Sequence, residues 1–230
     1  MKFMRCIYTA LSSMLLLLLL VECRIAVVEG ISVPNDPVLV FVDDFAGDPL
    51  GSPPSRWEIE DDQYMTYSIV EDPSTESGRA LHGVRGPGTD LSGVNLGIRS
   101  ARLAVSEADE PILEIDYKIK VIRGSVLKYV VSNLVYLSWR VDQSKNLFYG
   151  DNNLGRLEDG WNHIRIVANR VTDEVYFYVN DMSEDAVIGP FPVTRLPSSW
   201  GGHQIRFAHI INSTSNPEIM LADFKVTARK

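Results

Sequence analysis

Apolar and polar side chains alternate along two segments of this chain, residues 134–141 and residues 174–180. In an extended strand, successive side chains point to opposite faces, so each segment has one apolar face and one polar face. The polar faces carry tyrosine and arginine. This pattern predicts two strands of a sandwich, each with its apolar side in the core. The side chains predicted to point outward are Tyr136, Ser138, Arg140, Tyr176, Tyr178 and Asn180.

Short extended segments of the same kind follow one another through most of the chain. Glycine and proline mark a loop at residues 47–55, and turns are predicted over residues 83–97. No segment beyond residue 37 sustains helical periodicity, so residues 38–230 are predicted to be all-β, as a two-sheet antiparallel β-sandwich or jelly roll. Besides the two segments above and a short strand from Gly78, the predicted strands are residues 38–42, 57–59, 64–70, 98–105, Ile112–Arg123, 161–168 and 220–227.

The first 30 residues have the order of regions found in a secretory signal segment. Lys2 and Arg5 precede an apolar run, and polar residues follow it. Because the run is shorter than the ~20 residues that cross a bilayer, we predict cleavage, secretion to the extracellular space or cell surface, and no membrane span in the mature chain. Cys6 and Cys23 both lie in this segment, so the mature chain is predicted to lack disulfides. Residues 31–37 are predicted to be a linker or N-terminal arm.

The charge of the chain narrows the classes of partner. There are 30 acidic residues against 22 Lys and Arg residues, which gives a net charge of −8 at pH 7. Nucleic acids and anionic membrane surfaces are bound through clustered positive charge. The predicted partner is therefore not a nucleic acid, and a neutral polymer, a cation or another protein matches the composition better. An Asn-x-Ser/Thr sequon at Asn212 predicts a surface loop.

A series of short motifs spans the predicted sandwich. It resembles the concanavalin A-like lectin and glucanase superfamily, most closely the laminin-G-like jelly-roll modules of secreted proteins. The resemblance covers about residues 38–229 and implies the sandwich fold. Members of that superfamily include glycan-binding modules, glycoside hydrolases, polysaccharide lyases and adhesion domains, so the function stays open. The motifs are Asp43-Asp44-Phe45, Trp57, Ser77-Gly78-Arg79-Ala80-Leu81-His82, Glu114-Ile115-Asp116-Tyr117, Asp159-Gly160-Trp161-Asn162-His163 and Ala222-Asp223-Phe224-Lys225-Val226.

The hydrolase branch of that superfamily places three acids on one strand, as Glu-x-Asp-x-x-Glu or a form one residue shorter. Glu114 and Asp116 match the first two acids, but the third position holds Ile119 or Lys118. Retaining hydrolysis needs two carboxyl groups about 5 Å apart, one as nucleophile and one as acid. The motif is incomplete. The alternative prediction is a solvated polar face with cross-strand pairs, formed by Glu114, Asp116, Lys118 and Lys120.

Two functions remain for the outward tyrosines and arginines. A glycan-binding surface needs an aromatic platform with hydrogen-bonding groups beside it. A lyase acting on uronic-acid polymers needs a tyrosine or histidine base and a cation to stabilise the developing dianion. Tyrosines that are only half-buried sheet residues are a third alternative. The predicted ligand-binding residues, which would share one face if their strands are neighbours, are Tyr136, Arg140, His163, Arg165, Tyr176 and Tyr178, with Trp200 in a loop.

The resemblance also implies a structural calcium ion between the first and last strands, since many domains of that superfamily hold one there. Its predicted ligands are Asp43, Asp44 and Asp223. A separate hypothesis is a surface-assembly subunit, in which residues 31–42 add to the sheet edge of a neighbouring molecule. If that segment pairs instead with residues 220–227 of its own chain, this hypothesis loses its support.

Overall fold

The regular structure of this protein is almost entirely β-strand. The computed structural model describes residues 36–60, 65–86, 94–100, 103, 111–123, 126–131, 138–193, 204–211 and 216–230. The predicted secretory segment and most of the predicted arm lie outside these residues. Within them there are fifteen strands and one short 3₁₀ helix, Glu184–Ala186. Asp36–Lys230 form one compact unit.

The strands form two sheets of eight and seven strands. The first sheet contains β1 (Val38–Asp43), β3 (Met65–Glu71), β4 (Arg79–Arg85), β6 (Ile112–Arg123), β11 (Asn162–Asn169), β12 (Glu174–Val179), β13 (Ile188–Pro192) and β15 (Glu218–Arg229). The second contains β2 (Trp57–Ile59), β5 (Val94–Ser100), β7 (Val126–Val131), β8 (Ser138–Val141), β9 (Asn146–Tyr149), β10 (Asn152–Arg156) and β14 (Ile205–Ile211).

Every pairing between these strands is antiparallel. The first sheet has the order β13-β12-β11-β6-β15-β4-β3, with β1 also paired to β15, and the second has the order β10-β9-β8-β7-β14-β5-β2. The predicted fold class, an all-β two-sheet antiparallel sandwich of the jelly-roll type, is confirmed.

Alternation along the strands separates the core from the outer surface. On β6, the side chains of Ile115, Tyr117 and Ile119 are buried, whereas those of Glu114 and Asp116 between them are only partly covered. Odd and even positions of a strand point to opposite faces, so one side of β6 packs on the second sheet and the other faces outward.

Aromatic side chains from both sheets meet in the core. Trp57 of β2 and Phe207 of β14 come from the second sheet, and both contact Phe224 of β15 in the first, with ring centroids 5.2 Å and 5.9 Å apart. Tyr117 of β6 packs edge-on against Phe207 at 5.5 Å. Such edge-to-face contacts contribute about 0.5–1.5 kcal/mol each beyond area burial, so this cluster helps to hold the two layers together.

The segment that could have served as an intermolecular arm is paired within its own chain. Val38 lies opposite Ala228 and Asp43 opposite Phe224, so β1 is an antiparallel neighbour of β15. The self-assembly hypothesis required these residues of β1 to be available to another molecule. It therefore loses the support that the sequence pattern gave it.

The prediction of turns over residues 83–97 is wrong at both ends of that segment, where the structure has strands. Strand β4 continues through Gly83 to Arg85, and β5 already begins at Val94. Glycine suggested turns, but in β4 it makes room for a neighbour, because a Cβ atom on Gly83 would lie 2.7 Å from Cε1 of Tyr67. Of the strand predicted at residues 134–141, residues 134–137 lie outside the described residues, and residues 138–141 form β8.

Candidate functional site

Four neighbouring strands of the first sheet place a row of polar side chains on its outer surface. Tyr178 of β12 is the register partner of Arg165 on β11, Arg165 of Asp116 on β6, and Asp116 of Lys225 on β15. The inward neighbours of these residues belong to the core, so the row faces outward. We call this surface, between β12 and β15, the outer face.

Asp116 is the centre of an ion-pair network on the outer face. Its Oδ1 lies 2.6 Å from Nε2 of His163, and its Oδ2 accepts a hydrogen bond of 2.8 Å from Nε of Arg165. The same Arg165 Nε lies 3.2 Å from Oε1 of Glu114. One carboxylate thus holds an imidazole and a guanidinium, and a second carboxylate stands beside the guanidinium.

The pKa values of this pair favour its ionised form. Burial alone would raise the pKa of Asp116, but the hydrogen bonds from His163 and Arg165 outweigh it and the pKa is lowered. Burial opposes the charge of Arg165 as well, yet the bond to Asp116 raises the pKa of its guanidinium. Both groups are therefore charged at neutral pH.

A second ion pair borders the first. Nζ of Lys118, on β6, lies 2.7 Å from Oδ2 of Asp223 and 3.9 Å from Oε1 of Glu76. The backbone N–H of Glu76 also donates to Oδ1 of Asp223, over 3.2 Å. Asp223 has φ of 50°, a left-handed conformation that Asp and Asn tolerate better than most residues.

These side chains line a groove of about 380 Å³. Asp116, Lys118, His163 and Arg165 contribute from β6 and β11, and Lys225 contributes from β15. The groove is open, and its lining combines apolar surface from Val42 and Phe224 with hydrogen-bond donors and acceptors that lie side by side. It can bind a polar ligand of extended shape along the sheet surface.

Two tyrosines of β12 lie on the outer face, outside the residues that line the groove. Tyr176 donates a hydrogen bond of 2.6 Å to Oε2 of Glu174, and this bond raises the pKa of Tyr176 to about 12. Tyr178 lies in register with Arg165. Both rings are partly exposed on the outer face.

The structure brings together four of the predicted ligand-binding residues: His163, Arg165, Tyr176 and Tyr178. Tyr136 and Trp200 lie outside the described residues. The cross-strand pairs predicted for Glu114, Asp116 and Lys118 are confirmed. Sequence reasoning did not assign Glu76 or Lys225 to a binding site. Lys225 lies in the motif Ala222-Asp223-Phe224-Lys225-Val226, which indicated only the fold, and Glu76 lies in none of the motifs.

Arg140 requires a correction, because it does not share the outer face. It belongs to β8 in the second sheet, where its guanidinium lies 4.8 Å from the ring centre of Phe148. Its neighbours Trp139 and Val141 are buried, so Arg140 points away from the core on the opposite side of the sandwich. Alternation distinguishes inward from outward positions, but it does not say to which sheet a strand belongs.

The three aspartates predicted to bind calcium do not fit such a site. Asp43 is buried, and its carboxylate accepts from the backbone N–H of Phe45 and from Nε1 of Trp57, each over 2.9 Å. Asp223 is paired with the ammonium group of Lys118. Asp44 is exposed and accepts from the backbone of its own turn. Across the part of the chain that the structure describes, no group of three or more His, Cys, Asp or Glu side chains could hold a metal ion.

Burial shifts the protonation of one of these aspartates. Desolvation is the largest influence on Asp43 and raises its pKa, although the bonds from Phe45 and Trp57 oppose the change. A carboxyl group enclosed by two donors and an aromatic ring is a structural anchor for the turn after β1.

Comparison with known proteins places the chain by fold. No protein-family profile matches it, and no curated protein matches its sequence. A sialidase structure aligns with a TM-score of 0.61 and 12% identity over 83% of this chain, and the chain spans only 18% of the sialidase. What is shared at such identity is the fold.

Two further solved structures align over most of their own length. A carbohydrate esterase from the Shiga toxin-encoding bacteriophage phi24B aligns with a TM-score of 0.52 and 13% identity, over 76% of this chain and 90% of the esterase. An endo-1,3-beta-glucanase from Streptomyces sioyaensis aligns with a TM-score of 0.50 and 12% identity, over 86% of this chain and 98% of the glucanase. Separately, the described residues include no helix long and apolar enough to cross a membrane.

Proposed function

We propose that this protein is a secreted carbohydrate-binding domain of the concanavalin A-like superfamily and that its ligand lies on the outer face. The observation that carries the proposal is the row Tyr178, Arg165, Asp116 and Lys225, which crosses four adjacent strands beside the groove of about 380 Å³. The ligand is an extracellular glycan, free or on a cell surface.

The chemistry of the outer face suits a sugar. A sugar ring has an apolar C–H face that packs on an aromatic ring, and hydroxyl groups that both donate and accept hydrogen bonds. Tyr176 and Tyr178 offer aromatic rings, Arg165 and Lys118 offer donors, and Asp116 offers an acceptor, all on neighbouring strands. The solved structures with a similar fold support this proposal, since they include proteins named as a carbohydrate esterase and an endo-1,3-beta-glucanase.

The contacts favour binding over eliminative cleavage. A lyase base must accept a proton, but the Tyr176 hydroxyl is bound to Glu174 and its pKa is raised. A lyase also needs a cation free to meet the uronate group, and Arg165 is engaged by both Asp116 and Glu114. Each engagement would have to be broken before Tyr176 or Arg165 could take these roles.

The test is retention of the purified protein in gels containing neutral or uronic polysaccharides, with absorbance of unsaturated products followed in parallel. Tyr178→Ala is expected to weaken binding about fivefold, because an aromatic platform contributes on the order of 1 kcal/mol. Phe148→Ala is the matched control, since Phe148 is a partly exposed aromatic residue of the second sheet.

Equal retention of Tyr178→Ala and the wild type would place the ligand elsewhere. Release of unsaturated products from a uronic polymer would contradict the proposed binding function and identify the protein as a lyase. Circular dichroism of both variants checks that the sandwich is intact.

A further inference from the structure

Two cations of the groove, Lys118 and Arg165, each have a carboxylate partner that is less exposed than the cation. Lys118 is 25% exposed, whereas its partner Asp223 is only 8% exposed at the side chain. Arg165 is 31% exposed and its partner Asp116 is 20% exposed. In each pair the carboxylate lies deeper than the cation, so a ligand that arrives from solvent meets a charge that is already compensated.

The carboxylates also outnumber the permanent cations that they hold. Asp116 and Glu114 contact Arg165, while Asp223 and Glu76 contact Lys118. Glu114 also lies 3.8 Å from Nη2 of Arg229, so four carboxylates hold three permanent cations. His163 adds a further positive charge only when it is protonated, and it then faces Asp116. Lys225 is exposed and forms no ion pair with the described residues, but it lies on the row beside Asp116.

An anionic sugar would meet this arrangement at a disadvantage. At Lys118 and Arg165, the carboxylate of a uronic acid gains from the cation only if the resident carboxylate gives that cation up. At Lys225, which has no such partner among the described residues, it would stand beside the negative charge of Asp116. Specificity arises in this way from a repulsive element as well as from attraction. A neutral sugar hydroxyl can instead donate to the carboxylates and accept from the cations without a change in charge.

We propose that the outer face is selective for neutral glycans and that Asp223 and Asp116 are the residues that exclude uronic polymers. This inference rests on the proposed function of the same site and specifies its ligand class. It predicts that removal of one resident carboxylate converts the surface into one that retains polyanions.

Asp223→Asn is the sharper variant. Asparagine tolerates the φ of 50° at this position and its amide oxygen can still accept from the backbone N–H of Glu76, so the turn is preserved. Only the charge of Asp223 is lost, and the exposed carboxylate of Glu76 remains 3.9 Å from Nζ of Lys118. Retention in polygalacturonate gels is expected to increase about tenfold, because a charge-assisted hydrogen bond contributes on the order of 1.5 kcal/mol.

The gained binding is electrostatic and should disappear in about 0.5 M NaCl, whereas binding of neutral polymers should change little with salt. Asp116→Asn is a second variant with the same expected direction, since it frees Arg165 from one of its two carboxylates. The matched control is Asp159→Asn. It breaks an ion pair outside the groove, in which Nζ of Lys145 lies 2.8 Å from Oδ1 of Asp159. It should gain no retention.

The outcomes separate this inference from the proposed function. Wild-type binding to neutral polymers alone, with uronic binding gained in Asp223→Asn, supports both. Wild-type binding to neutral and uronic polymers with equal strength overturns the selectivity and leaves the binding function standing. A folded Asp223→Asn that gains no uronic binding also overturns it. If the wild type binds no polysaccharide, the proposed function and this inference are both rejected.

Discussion

At some positions of this sandwich, the residue type is restricted by the side chain that packs against it. Gly83 is an example, because it lies in the middle of β4, where a strand usually carries a side chain. The position that its Cβ would take is 2.7 Å from Cε1 and 3.0 Å from Cδ1 of Tyr67, and 3.4 Å from Cγ1 of Ile219. The ring of Tyr67 is buried and has little room to move away.

Gly83→Ala is therefore expected to destabilise the protein by about 1–3 kcal/mol, the range for overpacking a core. Urea unfolding followed by tryptophan fluorescence measures the change. Gly160→Ala is the matched control, since no atom lies within 4 Å of its Cβ position. A stability loss no larger than that of Gly160→Ala would contradict the packing explanation.

For single residues, the sequence predicted the face to which a side chain points better than it predicted the ion-pair or hydrogen-bond partner of that side chain. The outward positions of His163, Arg165 and Tyr178 followed from alternation alone, and the structure agrees. The partner of Lys118 is Asp223, which is distant in sequence, and no local pattern encodes such a pairing. Buried Asn162 was also not predicted. Its amide bonds to the backbone of Glu158, and this role depends on how the loop closes.

At the scale of elements, β1 shows why an apolar segment at the start of a domain is ambiguous. Its sequence suits an intermolecular arm and an intramolecular strand equally well. Phe41 decides between them, because it is only 4% exposed and contacts Trp57 and Phe224 with centroids 5.6 Å and 5.9 Å away. The strand is anchored in the core of its own molecule.

Phe41→Ala is expected to cost about 3–5 kcal/mol, as for other large-to-small changes in a core. Leu39→Ala, at a residue of the same strand that is 54% exposed, should cost less than about 0.5 kcal/mol. Thermal unfolding of both variants tests this. Similar melting temperatures would mean that β1 is detached in solution.

Strands differed in how well their patterns predicted them. Strand β6 was predicted with its observed bounds, since apolar and charged residues alternate from Leu113 to Val121. The hairpin of β9 and β10 was not predicted, because Asn152–Arg156 has three polar residues and a glycine. Its register is set instead by backbone pairing with β9, which a hydrophobic pattern does not reveal.

For the whole molecule, the two layers are joined by more than apolar contact. Nε1 of Trp139, in the second sheet, donates a hydrogen bond of 3.1 Å to the Tyr117 hydroxyl of the first sheet. Both side chains are buried. A buried donor that loses its acceptor retains its full desolvation penalty.

Tyr117→Phe should therefore reduce the free energy of unfolding by about 1–3 kcal/mol while the ring packing is preserved. Tyr176→Phe removes a hydroxyl from the outer surface and should change stability by less than about 0.5 kcal/mol. Urea titration measures both. Equal effects would indicate that the bond between the sheets contributes nothing.

The allocation of strands to sheets could not be derived from the sequence. Strands β8 and β11 have the same kind of alternation, yet one lies in each layer. This is why Arg140 and Arg165 were expected on one surface and are found on opposite sides. The layer of a strand depends on which distant segments it pairs with, and pairing is a property of the folded chain.

The position of β15 has a consequence for the order of events during synthesis. It pairs with β6, β4 and β1, all of which leave the ribosome earlier. Until β15 has been made, these strands keep open edges and apolar faces, and contacts between segments so far apart form slowly. The first sheet can therefore close only after translation has passed Arg229, and its unpaired edges are open to wrong pairing until then.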